Sequence, residues 1–187
     1  MIELKPFGRE DFAQLMEWLN DETLLVNWSG NLFSYPLTEA SLEWYIEDTN
    51  DLENSEAFVY KAVETDTGKS IGHISLGGIS RKNRAGRISR VLIGDQAARG
   101  KGYCCQMVKA VSKIGFESLH LHRISLGVYD YNKSAIQCYQ KAGFSIEGVY
   151  RDVLWFNNEW HSLVEMSMLE HEWFEKQTKE TSGIIAQ

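Results

Sequence analysis

Apolar residues recur along this chain at two spacings that alternate several times. Residues 2–7 (Ile-Glu-Leu-Lys-Pro-Phe) alternate apolar and polar, the period of a strand half in contact with a core. Residues 11–20 then place Phe12, Leu15, Met16 and Leu19 on one helical face. Residues 21–37 break the pattern. Asn27-Trp28-Ser29-Gly30-Asn31 and Tyr35-Pro36 are turn-prone, and the stretch reads as irregular. Thr38 is an N-cap candidate for a second helix through about residue 51, with Leu42, Tyr45 and Ile46 apolar and Glu39, Glu43, Glu47 and Asp48 acidic.

Strands are predicted over 57–64, 70–80 and 86–93, the first two joined by the glycine-containing turn Thr65-Asp66-Thr67-Gly68-Lys69. Helical spacing returns from Gly102 to about Leu119, a strand follows over 123–129, and a helix opens at Asn132. Residues 145–156 and 159–169 read as a hairpin around Asn157-Asn158. Past about residue 177 the apolar periodicity fades. That predicts a single domain over 1–176 and a flexible C-terminal tail over 177–187. The strand–helix–strand order across 91–129 requires a right-handed crossover and a parallel pair.

The chain is organised around Val91-Leu92-Ile93-Gly94-Asp95-Gln96-Ala97-Ala98-Arg99-Gly100-Lys101-Gly102-Tyr103, a strand feeding a glycine-rich turn that opens a helix. The first N–H groups of a helix have no intrahelical partner and its dipole favours anions there. Arg99 and Lys101 add positive charge. A nucleotide-triphosphate loop is excluded: one residue too many separates Gly94 from Gly100-Lys101, and Gly102 stands where a magnesium-binding hydroxyl is needed. The dinucleotide fingerprint fails because Cys105 occupies the place of its third glycine.

What this turn resembles is the Arg-Gly-x-Gly turn with which the GNAT (general-control-related) N-acetyltransferases hold the pyrophosphate of coenzyme A. A second segment carries the same resemblance. Asn132-Lys133-Ser134-Ala135-Ile136-Gln137-Cys138-Tyr139-Gln140-Lys141-Ala142-Gly143-Phe144 follows the superfamily pattern Asn-x-x-Ala-x-x-x-Tyr-x-x-x-Gly-Phe. Physically, Asn132 is a good N-cap and Gly143 a good C-terminal stop. Within the superfamily the chain looks most like the ribosomal-protein N-terminal alanine acetyltransferases, whose Gly-Phe-x-x-Glu-Gly run followed by Arg is echoed from Gly143 to Arg151. The spermidine acetyltransferases share much of this half. The resemblance covers residues 87–166 well and the N-terminal third loosely.

The resemblance implies an α/β (α+β) GNAT fold: a mixed central sheet of about seven strands, about four helices, and splayed parallel strands 4 and 5 around acetyl-CoA. It implies cofactor contacts at Leu92, Ile93, Arg99, Gly100, Lys101, Gly102, Tyr103, Cys104 and Asn132, with Leu92 and Ile93 offering main-chain groups. Tyr139 is the candidate general acid, since a phenol with an ordinary pKa near 10 stays protonated at neutral pH and can donate to the leaving thiolate. The superfamily often takes its base from a glutamate on the strand before the turn, but residues 88–93 hold no carboxylate. His73 is the best titratable alternative; His120 and His122 rank below it, and His161 and Glu165 are further candidates. The acceptor cleft falls to Trp28, Tyr35 and Trp44 with carboxylates such as Glu43 and Glu47, aromatic faces and carboxylates both attracting an ammonium. The expected acceptor is a protein N-terminus, with a polyamine or another small amine as the alternative, and a catalytically silent acyl-CoA-binding domain as the reading from another class. A homodimer is compatible with the resemblance.

Composition narrows this little. The 187 residues carry a formal net charge of −7, which argues against nucleic acid as a partner and suits a cationic acceptor. No apolar run approaches the roughly 20 residues of a membrane span, and the first residues are no signal peptide, so the reading is cytoplasmic. Cys104, Cys105 and Cys138 form no CxxC, and no Cys/His/carboxylate cluster has metal spacing, so reduced thiols and no metal are expected.

Overall fold

The structure, a computed structural model, describes residues 1–185. In chain order the elements are β1 (Ile2–Pro6), α1 (Phe12–Trp18), α2 (Glu22–Ser29), α3 (Glu39–Ile46), β2 (Phe58–Glu64), β3 (Ser70–Ser80) and β4 (Ala85–Ile93). Then come α4 (Tyr103–Lys113), β5 (Arg123–Tyr129), α5 (Lys133–Ala142), β6 (Ser145–Phe156), β7 (Glu159–Leu169) and α6 (Glu170–Ile185). The strands make one seven-stranded sheet in the order β1-β2-β3-β4-β5-β7-β6. Its β4–β5 pair is parallel, and its other pairs are antiparallel. This is the mixed α/β GNAT architecture expected.

The period-2 pattern of β2 shows how the sheet divides its apolar residues. Phe58, Tyr60 and Ala62 join a core with Met107, Val108 and Val111 of α4, Tyr139 of α5 and Trp173 of α6. Val59, pointing the other way, joins Phe12 and Leu15 of α1, Leu25 and Trp28 of α2 and Leu42 and Tyr45 of α3. Helices therefore cover both faces.

The β4–β5 pairing is short. It runs from Ala85↔Arg123 to Ile88↔Leu126, after which the strands part while β4 continues to Ile93 and β5 to Tyr129. The cause lies in β4. Its partner β3 matches Ser75 to Ser89 but His73 to Leu92, so β4 carries one extra residue between them. Arg90 takes that place at φ +53°, a bulge that bends the strand away.

Two helical regions differ from the sequence reading. The stretch expected to be irregular contains α2, with the Asp21 side chain accepting from the Leu24 N–H at 3.1 Å and Gly30 ending the helix at φ +59°. Burial of Leu25 and Trp28 overrides the turn propensity of residues 27–30. Residues 177–185, expected in a tail, continue α6, whose Trp173 is buried and donates from Nε1 to Glu117 Oε1 at 3.1 Å. With α1 and α3 this makes six α-helices among the described residues rather than about four. No helix among them is long and apolar enough to cross a membrane.

Candidate active site

Beyond Ile88 the main chain of β4 has lost its parallel neighbour, and strand alternation decides which groups are left facing the gap. The Gly94 N–H donates to Ile71 O at 3.0 Å, and Leu92 is in register with His73, so the main chains of Leu92 and Gly94 face β3. Those of Val91 and Ile93 therefore face the gap. Ile93 does present its main chain there, as expected, and its carbonyl accepts from Arg99 Nε at 3.1 Å. Leu92 does not; Val91 takes its place, and the Leu92 side chain packs against the core that holds Phe12, Leu15 and Trp28.

From Ile93 the chain turns through Asp95, whose carboxylate accepts from the Ala97 N–H at 3.0 Å and lies 2.7 Å from Lys69 Nζ. Gly100 and Gly102 stand at φ +76° and +78°, and Gly102 caps α4. A Cβ at either would meet no atom of the described residues within 4 Å. Glycine is needed here for the left-handed backbone, not for room within the protein. Both sit where the free N–H groups of α4 begin, and the donor set suits a pyrophosphate: a helix N-terminus, a left-handed turn and the exposed cations of Arg99 and Lys101.

A cleft of about 640 Å³ opens between this turn and α5. Leu92, Ile93, Arg99, Gly100, Gly102, Tyr103, Cys104 and Asn132 line it, so of the expected cofactor residues Lys101 alone stays outside its wall. Asn132 caps α5, its Oδ1 accepting from the Ala135 N–H at 3.2 Å. The Tyr103 hydroxyl is bonded to Glu64, and Cys138 Sγ donates to Cys104 Sγ at 2.6 Å, joining α5 to α4. On the other side of the gap lies a cavity of about 180 Å³ lined by Trp28, Arg87, Ser89, Arg90, Tyr129 and Tyr131 among others. Asn27, Trp28, Val91, Asn132 and Tyr139 line both spaces and mark where they meet.

Tyr139 is thus at the junction. It is buried, and burial, helped by the Cys104 and Cys138 thiols, pushes its phenol well above the usual value. His73 is elsewhere. It is fully buried among Phe7, Trp28 and Tyr45, lines neither space, and desolvation holds its imidazole down at about 4. A neutral ring walled off from the gap is no place for a base that meets the acceptor. Nor does any carboxylate or histidine line the smaller cavity among the described residues. Glu165 grips Arg87 through both oxygens, with Nη2 to Oε2 at 2.9 Å. His122 lies 3.5 Å from Glu170 and lines neither the cleft nor the smaller cavity, while His161 borders a third pocket.

The expected acceptor residues do not converge. Trp28 lines the gap, buried, with Nε1 bonded to Arg90 O. Tyr35 donates its hydroxyl to Asn20 O at 2.9 Å. Trp44, Glu43 and Glu47 border a separate surface pocket that shares no residue with the gap. Sequence reasoning missed Val91, Asn27 and Tyr131, and also the third pocket, about 270 Å³, formed by Thr23, Asn27, Tyr131, Phe156, Asn157, Glu159 and His161. Asn27 and Tyr131 connect it to the smaller cavity.

Comparison with known proteins agrees with this fold. The spermidine N(1)-acetyltransferase of Escherichia coli K12 is 25% identical over 172 residues, 92% of this chain and 88% of that one. A putative ribosomal N-acetyltransferase of Bacillus subtilis is 30% identical over 106 residues, 57% of each chain. The likeness to the ribosomal enzymes expected from the sequence is therefore narrower than the likeness to the spermidine enzymes. The crystal structure of spermidine N-acetyltransferase from Vibrio cholerae in complex with CoA and spermine shares the fold at a TM-score of 0.80 and 19% identity, over 92% of this chain and 98% of that one. The acetyltransferase (GNAT) domain profile matches residues 2–145, and the chain belongs to that family, as an acetyl-CoA-dependent N-acetyltransferase.

Proposed function

We propose that the acceptor is a polyamine or a comparably extended aliphatic amine. Its reacting end enters the cavity beside Val91 and its distal ammonium lies in the pocket of Tyr131, Phe156 and Glu159. The observation that carries this is the continuity of three spaces: cofactor cleft, small cavity and third pocket share lining residues in that order. Glu159 makes no ion pair among the described residues, and its carboxylate with two aromatic rings suits an ammonium. The likeness to the spermidine enzyme of Escherichia coli over most of both chains supports the same class.

Acetyl-CoA supplies the activated thioester; the residues do the rest. The turn from Arg99 to Tyr103 holds phosphate, and Asn132 borders the path to the gap. The Val91 N–H polarises the acyl carbonyl as the amine nitrogen forms its bond to carbon and the carbon–sulfur bond breaks. A preorganised donor of this kind is worth about 2.7–4 kcal/mol in the barrier. Tyr139 hands a proton to the departing sulfur, and the proton that the nitrogen sheds as the amide forms passes through water to restore the phenol. Arg90 lines the cavity, makes no ion pair among the described residues and lies 4.7 Å over the Tyr45 ring. A cation there favours the neutral amine over the ammonium, so the proton leaves to water before attack.

Acetyl-CoA consumption measured against spermidine, spermine, alanine-led peptides and aminoglycosides tests the reading. Turnover of the polyamines is expected. Turnover of peptides alone overturns the polyamine assignment, and acetyl-CoA binding with no turnover on any amine returns the chain to a silent binding domain.

A further inference from the structure

Two aromatic N–H groups converge on one carbonyl oxygen of β4. Trp28 Nε1 donates to Arg90 O at 3.0 Å, and His73 Nδ1 lies 3.0 Å from the same atom. A carbonyl oxygen can only accept, so in the neutral ring Nδ1 carries the proton and Nε2 a bare lone pair. That Nε2 is buried and has no partner among the described residues. Phenylalanine would fill the same space among Phe7, Trp28 and Tyr45, whose ring centroids lie 4.9, 5.3 and 5.8 Å away, without burying an unmatched nitrogen. What histidine adds is the bond to Arg90 O.

That carbonyl belongs to the peptide unit whose nitrogen is Val91. The unit is planar and trans, so a C=O held toward His73 and Trp28 sends the Val91 N–H the opposite way, into the gap. The unit also starts from a strained point, because Arg90 sits at φ +53°, a region that long side chains seldom adopt. Two donors from different elements, α2 and β3, fix its orientation.

We infer that His73, together with Trp28, is a positioning residue: it clamps the Arg90–Val91 peptide so that the Val91 N–H points at the thioester carbonyl. The inference rests on the role given to that N–H above. His73 touches neither cavity and so acts through the backbone alone.

His73→Phe keeps the ring and deletes the donor; His73→Asn restores an amide N–H near the Nδ1 position. Thermal midpoint, acetyl-CoA dissociation constant and kcat are measured on both, with the infrared band of carbonyl-labelled acetyl-CoA bound without acceptor. For His73→Phe the expected result is a kcat lower by about tenfold, less than the 10²–10³ lost with an oxyanion donor itself. The dissociation constant and the midpoint stay near wild type, and His73→Asn recovers part of kcat. Wild type should shift the thioester band to lower frequency, and His73→Phe should shrink that shift. An equal shift and kcat in wild type and His73→Phe overturn the clamp alone. No shift in wild type removes the Val91 reading, and the clamp with it. A kcat that falls only in step with stability and acetyl-CoA affinity overturns the clamp in favour of plain packing.

Discussion

The guanidinium of Arg9 lies 3.1 Å from Glu43 Oε1, on a surface that shares no residue with the gap between β4 and β5. Glu43 already has its cation. Glu159, at the end of the gap's third pocket, makes no ion pair among the described residues. Glu43→Gln should therefore leave both the polyamine KM and the acetyl-CoA KM unchanged. Glu159→Gln should raise the polyamine KM by about 1.4- to fivefold, the range open to an exposed ion pair of about 0.2–1 kcal/mol. The opposite pattern would place the acceptor against α3 instead of the β6–β7 turn.

Gly100 and Gly102 offer a test of the phosphate turn in which sterics and conformation separate. A methyl group at either meets nothing within 4 Å among the described residues, yet both backbones are left-handed, so Gly100→Ala and Gly102→Ala each carry strain of about 1–2 kcal/mol. The turn should relax toward negative φ and misdirect the N–H groups at the start of α4. The expected outcome is a folded protein, its midpoint lowered by a few degrees, that gains clearly less thermal stabilisation from acetyl-CoA than wild type. Equal stabilisation in both variants would detach the cofactor from this turn.

Where the sequence was legible, a local rule was enough. Strands repeat every second residue, and those over 70–80, 123–129, 145–156 and 159–169 fall where the pattern puts them. Asn132 and Gly143 bound α5 because capping is a property of a few neighbouring residues. The cofactor turn was legible for the same reason. What stayed hidden depends on partners far apart in the chain. Nothing local announces that Arg90 bulges out of β4, since the extra residue shows only against β3. The main-chain exchange of Val91 for Leu92 follows from it. Likewise α2 owes its existence to Leu25 and Trp28 finding a core built by α1, α3 and β2. The third pocket joins Asn27 to Tyr131 and the β6–β7 turn, a meeting no spacing encodes.

Tyr139 sits at the junction of the two spaces with its phenol raised by burial and by the thiols beside it. A raised pKa keeps the proton on oxygen as the pH climbs, so the acid remains armed through the ordinary alkaline range. Tyr139→Phe should lower kcat by about 10²–10⁴ while acetyl-CoA still binds. In wild type, kcat should show no descending alkaline limb below about pH 10, where an unshifted phenol would begin to ionise. A Tyr139→Phe variant that turns over spermidine at the wild-type rate would leave the thiolate to take its proton from water.

His73 makes the last prediction, because its burial ties stability to pH with a definite sign. Desolvation lowers the imidazole to about 4 in the folded protein, against an ordinary value of about 6.5 once unfolded. Between those values the unfolded chain binds the proton and the folded one refuses it. Stability is therefore complete above about pH 6.5, declines as the pH falls toward 4, and loses nothing further to this group below that. The interval of about 2.5 units corresponds to a loss on the order of 3 kcal/mol at most. His73→Phe has no proton to gain. Urea unfolding near pH 7.5 and near pH 4.5 should show wild type losing more stability between the two than the variant, by about 2–3 kcal/mol. A His73 that reached solvent or a carboxylate in the folded protein would erase this difference, and equal losses in the two proteins would refute its sealed, neutral state. The same value keeps His73 silent in the pH dependence of turnover near neutrality. An ascending limb near pH 6.5 should accordingly survive His73→Phe unchanged, and its disappearance in that variant would return the ring to the proton chemistry of the reaction.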